Sequence, residues 1–234
     1  MTIGFSGRAG RKIIVTGHYG SGKTEFSVSF ALLLAAEKNN RNLAVVDLDI
    51  VNPYFRSRER RGLLEDAGIA VYGSLYREEI TAELPALDAS IRAPLEDETC
   101  RVIIDAGGND TGALVLNQFK KYLTDSDTTM LAVINTNRPD TRDLRGALGH
   151  IAAIEAATDL EVTGVVNNTH LLRETTAGDI VNGHELCRQI CDFSGKELFC
   201  DCYPAGIVTP DELSGLSENL MPLGLYMRPA WLDN

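Results

Sequence analysis

The sequence predicts an α/β domain, a doubly wound and mostly parallel sheet with helices on both faces, with residues 1–234 forming one unit. Three observations predict it. A glycine-rich loop, Gly17-His18-Tyr19-Gly20-Ser21-Gly22-Lys23-Thr24, lies between the apolar run Ile13-Ile14-Val15-Thr16 and a helix-compatible segment. Strand-like and helix-like stretches then alternate along the chain. Finally, Gly17, Asp49, Asp105, Asn135, Asn167 and Pro204 fall at the carboxyl ends of predicted strands, the edge where such sheets bind ligands.

Residues 1–11 carry Arg8 and Arg11 without a long apolar run, so they read as a short flexible lead and not as a signal peptide. Ile13 to Gly17 is the first strand, apolar enough to be buried on both faces. The segment Glu25 to Glu37 is a helix with Phe26, Val28, Phe30 and Leu32 to Leu34 toward the sheet, ended by Asn39-Asn40. Leu43 to Leu48 is the second strand, and the charged stretch Arg56 to Asp66 reads as helical until Gly68. Ile69 to Tyr72 is a short strand, and Ala82 to Leu95 is weakly helical, with Pro85 near its start. Arg101 to Ile104 is a β-branched strand ending at Asp105, followed by a helix from about Thr111 to Tyr122. Thr129 to Asn135 is a strand, and Asp140 to Ala157 a long helix capped by Asp140 or Thr141. Val162 to Asn167 (strand), Gly178 to Phe193 (helix) and Leu198 to Tyr203 (last strand) follow, and Pro210 opens a short final helix.

Composition narrows the function. A 44% hydrophobic share can build a core, yet no segment reaches the roughly 18 apolar residues of a membrane span. A formal net charge of −11 disfavours broad binding to nucleic acid or anionic membranes, so neither is expected as a partner. Five cysteines without an export signal suggest reduced thiols in the cytoplasm.

The loop carries the chemistry. Its glycines let successive backbone N–H groups converge on a polyphosphate, and the helix start adds its positive dipole end. Gly17, Tyr19, Gly20, Ser21, Gly22, Lys23, Thr24 and Glu25 are the expected cradle. Lys23 would reach the β- and γ-phosphates, and the Thr24 hydroxyl would sit on Mg²⁺. Asp105, at the end of an apolar strand, would hold Mg²⁺ through water opposite Thr24. Asp47 and Asp49 share one side of their strand: Asp49 is expected to orient the attacking water, with Asp47 supporting it near the metal. Lys23 and Asp49 are thus the expected catalytic pair. Gly107 and Gly108 would let the following loop approach the γ-phosphate.

Together, the loop, Val46-Asp47-Leu48-Asp49 and Ile104-Asp105-Ala106-Gly107-Gly108 resemble the MinD/ParA/CobQ-CobB-type nucleotide-binding proteins of the SIMIBI class. The resemblance covers nearly the whole chain. It implies ATP and Mg²⁺ as cofactors, ATP hydrolysis, a nucleotide-dependent homodimer and a partner protein, with switch loops after Asp49 and Asp105. The chain departs from that pattern at His18, where typical members carry a lysine that reaches across the dimer. The loop is also similar to that of the UreG/HypB metallochaperone GTPases. Gly164 to Leu171 stands where a GTPase has Asn-Lys-x-Asp, but His170 replaces the aspartate that reads guanine, which favours ATP. The Asn167 amide is expected on the adenine edge, with turn chemistry as the competing role, and Pro204-Ala205-Gly206 beside the base.

Three further features have two readings each. Asn52 to Arg58 is either a partner-contacting switch or a loop with Tyr54 and Phe55 tucked into the core. Arg138 is either a nucleotide or partner contact or an ordinary surface arginine. Cys187, Cys191, Cys200 and Cys202, with His184 nearby, are either a metal site or buried thiols, and their spacing is not that of a zinc site. The expected activity is that of a Mg²⁺-dependent ATPase switching a partner protein. The alternatives are a small-molecule kinase or ligase of the dethiobiotin or cobyrinate synthetase type, and a GTP-using metallochaperone.

Overall fold

The computed structural model describes residues 6–37, 42–49, 60–73, 91–216 and 219–227. Eight strands form one sheet: β1 (Lys12–Thr16), β2 (Asn42–Leu48), β3 (Ile69–Gly73), β4 (Cys100–Ala106), β5 (Thr128–Ile134), β6 (Gly164–Asn167), β7 (Glu197–Pro204) and β8 (Leu220–Leu223). Their spatial order is β3-β2-β4-β1-β5-β6-β7-β8, and every pairing is parallel. The helices are α1 (Lys23–Ala36), α2 (Arg61–Asp66), α3 (Arg92–Glu96), α4 (Asp110–Ala113), α5 (Leu144–Thr158) and α6 (Ala177–Ser194).

The central strands are apolar without alternation because helices cover both faces. Ile14, Val46, Ile104 and Ala132 pack on one face with Ile151, Ile154 and Ile190, while Ile13, Val15, Val45 and Val133 pack on the other with Phe26 and Phe30 of α1. The chain leaves β1 across β4 to build β2 and β3, returns to β4, then crosses β1 to build β5 through β8. The order reverses around β1, so the crevice at a topological switch point opens over the loop that follows β1.

Several expectations are corrected. Residues 6–11 belong to the fold: Ser6–Arg8 form a 3₁₀ turn, and the buried Arg11 guanidinium donates to the carbonyls of Pro94, Leu95, Asp97 and Cys100. A charge there is tolerated because its donors are satisfied by backbone oxygens. The helix after β5 starts later, and Asp143 caps it by accepting from the Gly146 N–H at 2.9 Å. Thr141 lies in the 3₁₀ turn Pro139–Thr141 before that helix, and its hydroxyl donates to the Asn135 carbonyl at 2.8 Å. The expected helix over 111–122 is one α-turn, capped by Asn109, followed by 3₁₀ structure over Leu114–Tyr122; Gly112 in its first turn disfavours a longer α-helix. Leu198 to Tyr203 is not the last strand, since β8 follows; Pro222 hides β8 in the sequence and suits its place at the sheet edge. Asn52 to Arg58 and most of Ala82 to Leu95 lie outside the described residues.

Candidate functional site

The loop between β1 and α1 has the backbone a phosphate cradle needs. Gly20 and Gly22 take φ of 76° and 83°, a region only glycine enters cheaply. Space is as restrictive as torsion: a Cβ on Gly22 would stand 2.4 Å from Asn168 Nδ2 and 3.0 Å from His170 Nε2. Gly108, from the loop after β4, packs so closely that a Cβ there would meet the Gly17 carbonyl at 2.4 Å and Lys23 Nζ at 3.3 Å. Ser21, Lys23 and Thr24 are buried, while Tyr19 is exposed.

The acids converge on the same loop. Lys23 Nζ pairs with Asp49 Oδ2 at 2.8 Å, both side chains being almost fully buried. Asp47 Oδ1 accepts the Asp49 N–H at 3.1 Å, so Asp47 fixes the turn that presents Asp49. β4 brings Asp105 beside Asp47 in register, with Val15 of β1 on its other flank. Asp105 is fully buried, and burial pushes its carboxyl up to about 8; Lys23 and the Thr24 hydroxyl oppose this, while Asp47 and Asp49 reinforce it. A buried acid next to a hydroxyl and further carboxylates is a hard-oxygen donor set, and it fits Mg²⁺. Among the described residues, no group of three or more His, Cys, Asp or Glu could hold a metal ion alone.

The opposite flank of the loop is built from β5 and β6. Asn168 Nδ2 donates to the Ser21 carbonyl at 2.7 Å, and its buried Oδ1 has no hydrogen-bond partner among the described residues. His170 Nδ1 accepts the Leu172 N–H at 3.3 Å, and burial, helped by Arg138, lowers its pKa to about 4. The ring is therefore neutral and carries its proton on Nε2, the atom facing Gly22. The two strand-end loops are stitched together: Asn135 Nδ2 donates to the His170 carbonyl, and the Thr136 N–H to Thr169 Oγ1. Arg138 Nε donates to the Gly20 carbonyl at 2.8 Å.

Asn167, expected on the base, is used elsewhere. It is fully buried, its Nδ2 donates to the Ile180 carbonyl at 2.9 Å and to Asp201 Oδ1 at 2.8 Å, and its Oδ1 accepts the Thr169 N–H. His184 Nδ1 closes this network on Asp201 Oδ2 at 2.9 Å. Asn168, not Asn167, is the asparagine that meets the phosphate loop. The Glu25 carboxylate is likewise turned away from the cradle: it accepts the N–H groups of Tyr226 and Met227 at 2.7 and 2.8 Å. Only the backbone of Glu25 is left to face a phosphate. The Pro204 carbonyl accepts from Ile207 and Val208 as part of a turn. His18 pairs with Asp140 at 3.2 Å and lies edge-on to His150. All four late cysteines are buried, and burial raises the thiols of Cys187, Cys191 and Cys200.

No family model matches the chain, and no curated protein sequence matches it. Solved structures share its fold. FtsY from Mycoplasma mycoides is similar with a TM-score of 0.52 and 16% identity, over 80% of this chain and 58% of that one. Chloroplast FtsY from Physcomitrella patens gives 0.51 and 15%, over 80% and 57%. The signal recognition particle receptor FtsY from Elizabethkingia anophelis, in complex with GDP, gives 0.50 and 19%, over 80% and 55%. The chain thus spans little more than half the length of these proteins. At such identities the likeness is one of fold alone, an α/β architecture with a parallel sheet, and it does not distinguish the MinD/ParA branch. Among the described residues, no helix is long and apolar enough to cross a membrane.

Proposed function

We propose that this chain is a Mg²⁺-dependent ATP-binding protein that hydrolyses ATP and acts as a nucleotide switch on a partner protein. The observation that carries the reading is the Lys23–Asp49 pair at 2.8 Å beside buried Asp105, at the mouth of a glycine-shaped loop. The loop amides, the start of α1 and Lys23 would bind and neutralise the polyphosphate. Thr24 and Asp105, supported by Asp47, would hold Mg²⁺, which when bound supplies charge neutralisation between the β- and γ-phosphates. Asp49 is bonded to Lys23, so phosphate binding and the Asp49 contact compete for one ammonium. Drawing Lys23 onto phosphate would part the Asp49 carboxylate from that ammonium and turn it toward water, and would couple the loop after β2 to nucleotide state.

Adenine is preferred because neither His170 nor, one step on, Leu171, the positions where the guanine-reading aspartate would align, offers a carboxylate to guanine's N1 and N2 protons. The orphaned Asn168 Oδ1 can accept from the exocyclic amine of adenine. A second reading, GTP use, is favoured by the GDP bound to one of the similar structures. His18 is engaged with Asp140 of its own chain, which supports a switch that works without the cross-subunit lysine. Competition between ATP and GTP, with light scattering in Mg²⁺ and a non-hydrolysable ATP analogue, tests base choice and homodimer formation together. Tighter binding of GTP than ATP would overturn the adenine assignment. ATP turnover that needs a metabolite and no protein would move the chain to the small-molecule kinase or ligase class.

A further inference from the structure

Arg138 lies in the loop after β5, two residues before the partner of His18. Its Nε donates to the Gly20 carbonyl at 2.8 Å, and its guanidinium carbon would stand 3.2 Å from a Cβ placed on Gly20. The group is therefore seated against the backbone of the phosphate loop. Its own loop is braced: Asn135 Oδ1 accepts the Asn137 N–H, the Asn135 carbonyl accepts the Arg138 N–H, and Asn135 Nδ2 holds the His170 carbonyl. Among the described residues its two terminal nitrogens make no hydrogen bond or ion pair.

The strand order says which part of a nucleotide this group meets. The acids that suit phosphate and metal come from β2 and β4, on one side of β1. Arg138, Asn168 and His170 come from β5 and β6, on the other side. A nucleotide with its phosphates in the loop and its metal toward β4 must extend its base toward β5 and β6. The half-buried guanidinium, tethered by Nε, is a planar cation, and such planes stack on aromatic rings and nucleobases.

We propose that Arg138 is the shelf of the base pocket, with its guanidinium plane stacked on the base while Nε is held by the Gly20 carbonyl. The inference rests on the nucleotide-binding reading above. Stacking is indifferent to the identity of the purine, so Arg138 would set affinity for the nucleoside, and the neighbouring Asn168 its identity. Arginine is suited to the task where lysine is not, because an ammonium offers no plane.

The test separates base from phosphate by using two probes, Mg²⁺-ATP and Mg²⁺-tripolyphosphate, with affinities measured by calorimetry. Arg138→Ala is expected to weaken ATP about tenfold and leave tripolyphosphate within about twofold of the wild type. Arg138→Lys should also lose ATP affinity, since it keeps the charge without the plane. An equal loss for both probes in Arg138→Ala would overturn the proposal, because Arg138 would then only be shaping the loop. Unchanged ATP affinity in that variant would overturn it too, as would full ATP affinity in Arg138→Lys. If the wild type bound neither probe, the nucleotide reading itself would fall; if it bound tripolyphosphate as tightly as ATP, only the shelf would. Far-UV circular dichroism on each variant confirms that the fold is kept.

Discussion

The two flanks of the phosphate loop are made of different chemistry. Toward β2 and β4 stand ionisable groups, Lys23, Asp47, Asp49 and Asp105, all with buried side chains. Toward β5 and β6 stand amides, hydroxyls and a neutral imidazole, Asn135, Asn168, Thr169 and His170, equally buried and joined by hydrogen bonds. On the charged flank, burial and two neighbouring acids push the Asp105 carboxyl up, and Lys23 opposes them. The neutral flank is nearly complete, with the Asn168 Oδ1 as its orphaned acceptor. On the proposed reading, the first flank would take a polyphosphate and its metal, and the second the polar edge of a base.

The largest effect should come from the charged flank. Lys23→Ala is expected to reduce ATP binding and hydrolysis by roughly 100-fold or more, the scale of losing a principal charge contact in the transition state. It should also destabilise the protein by about 3 kcal/mol, because buried Asp49 loses the Lys23 ammonium at 2.8 Å. The double variant Lys23→Ala/Asp49→Ala should recover most of that stability in urea titrations and none of the activity. Undiminished ATP hydrolysis in Lys23→Ala would remove the basis for the proposed function.

Adjacent asparagines then sharpen the contrast within the neutral flank. Asn167→Ala removes the partner of the Ile180 carbonyl and of Asp201, both in the core, and is expected to cost about 2 kcal/mol or more of stability. Its effect on ATP affinity in the folded fraction should be small. Asn168→Ala should do the reverse, with a loss of ATP affinity of about tenfold and a narrowed ATP-to-GTP preference. If Asn167→Ala lost nucleotide and Asn168→Ala did not, the two roles would have to be exchanged.

That pair also shows where the sequence stops being legible. The places of Lys23 and Thr24 at the start of α1 could be read because they are set by chain-adjacent backbone, and those of Asp49 and Asp105 because each sits at the carboxyl end of an apolar strand. Which of Asn167 and Asn168 meets the loop depends on one step of strand register, and one step reverses the face a side chain takes. The register of β6 against β7 shifts between Val165 and Val166, a displacement no local pattern announces. The carboxylate of Glu25 is claimed by residues about two hundred positions away, and the seat of Arg138 is a backbone carbonyl in another loop. Pairings of that range carry no sequence signal, whereas the alternating strands and helices that place them do.

The smallest effect expected is on stability in mild acid, and it belongs to the neutral flank. His170 has a folded-state pKa lowered to about 4 by burial and by the facing Arg138, against an ordinary 6.5. Between those values the unfolded chain binds the proton and the folded chain does not, so stability falls as pH falls. From pH 7 to 5.5 this one side chain should remove about 1 kcal/mol. His150, also lowered to about 4 by burial and by His18, acts in the same direction. Urea titrations at the two pH values, on the wild type and on His170→Gln, isolate the contribution, because glutamine has no proton to gain. An identical pH dependence in both proteins would mean that His170 is already accessible to protons in the folded state, and the neutral flank would then be less closed than its hydrogen bonds imply.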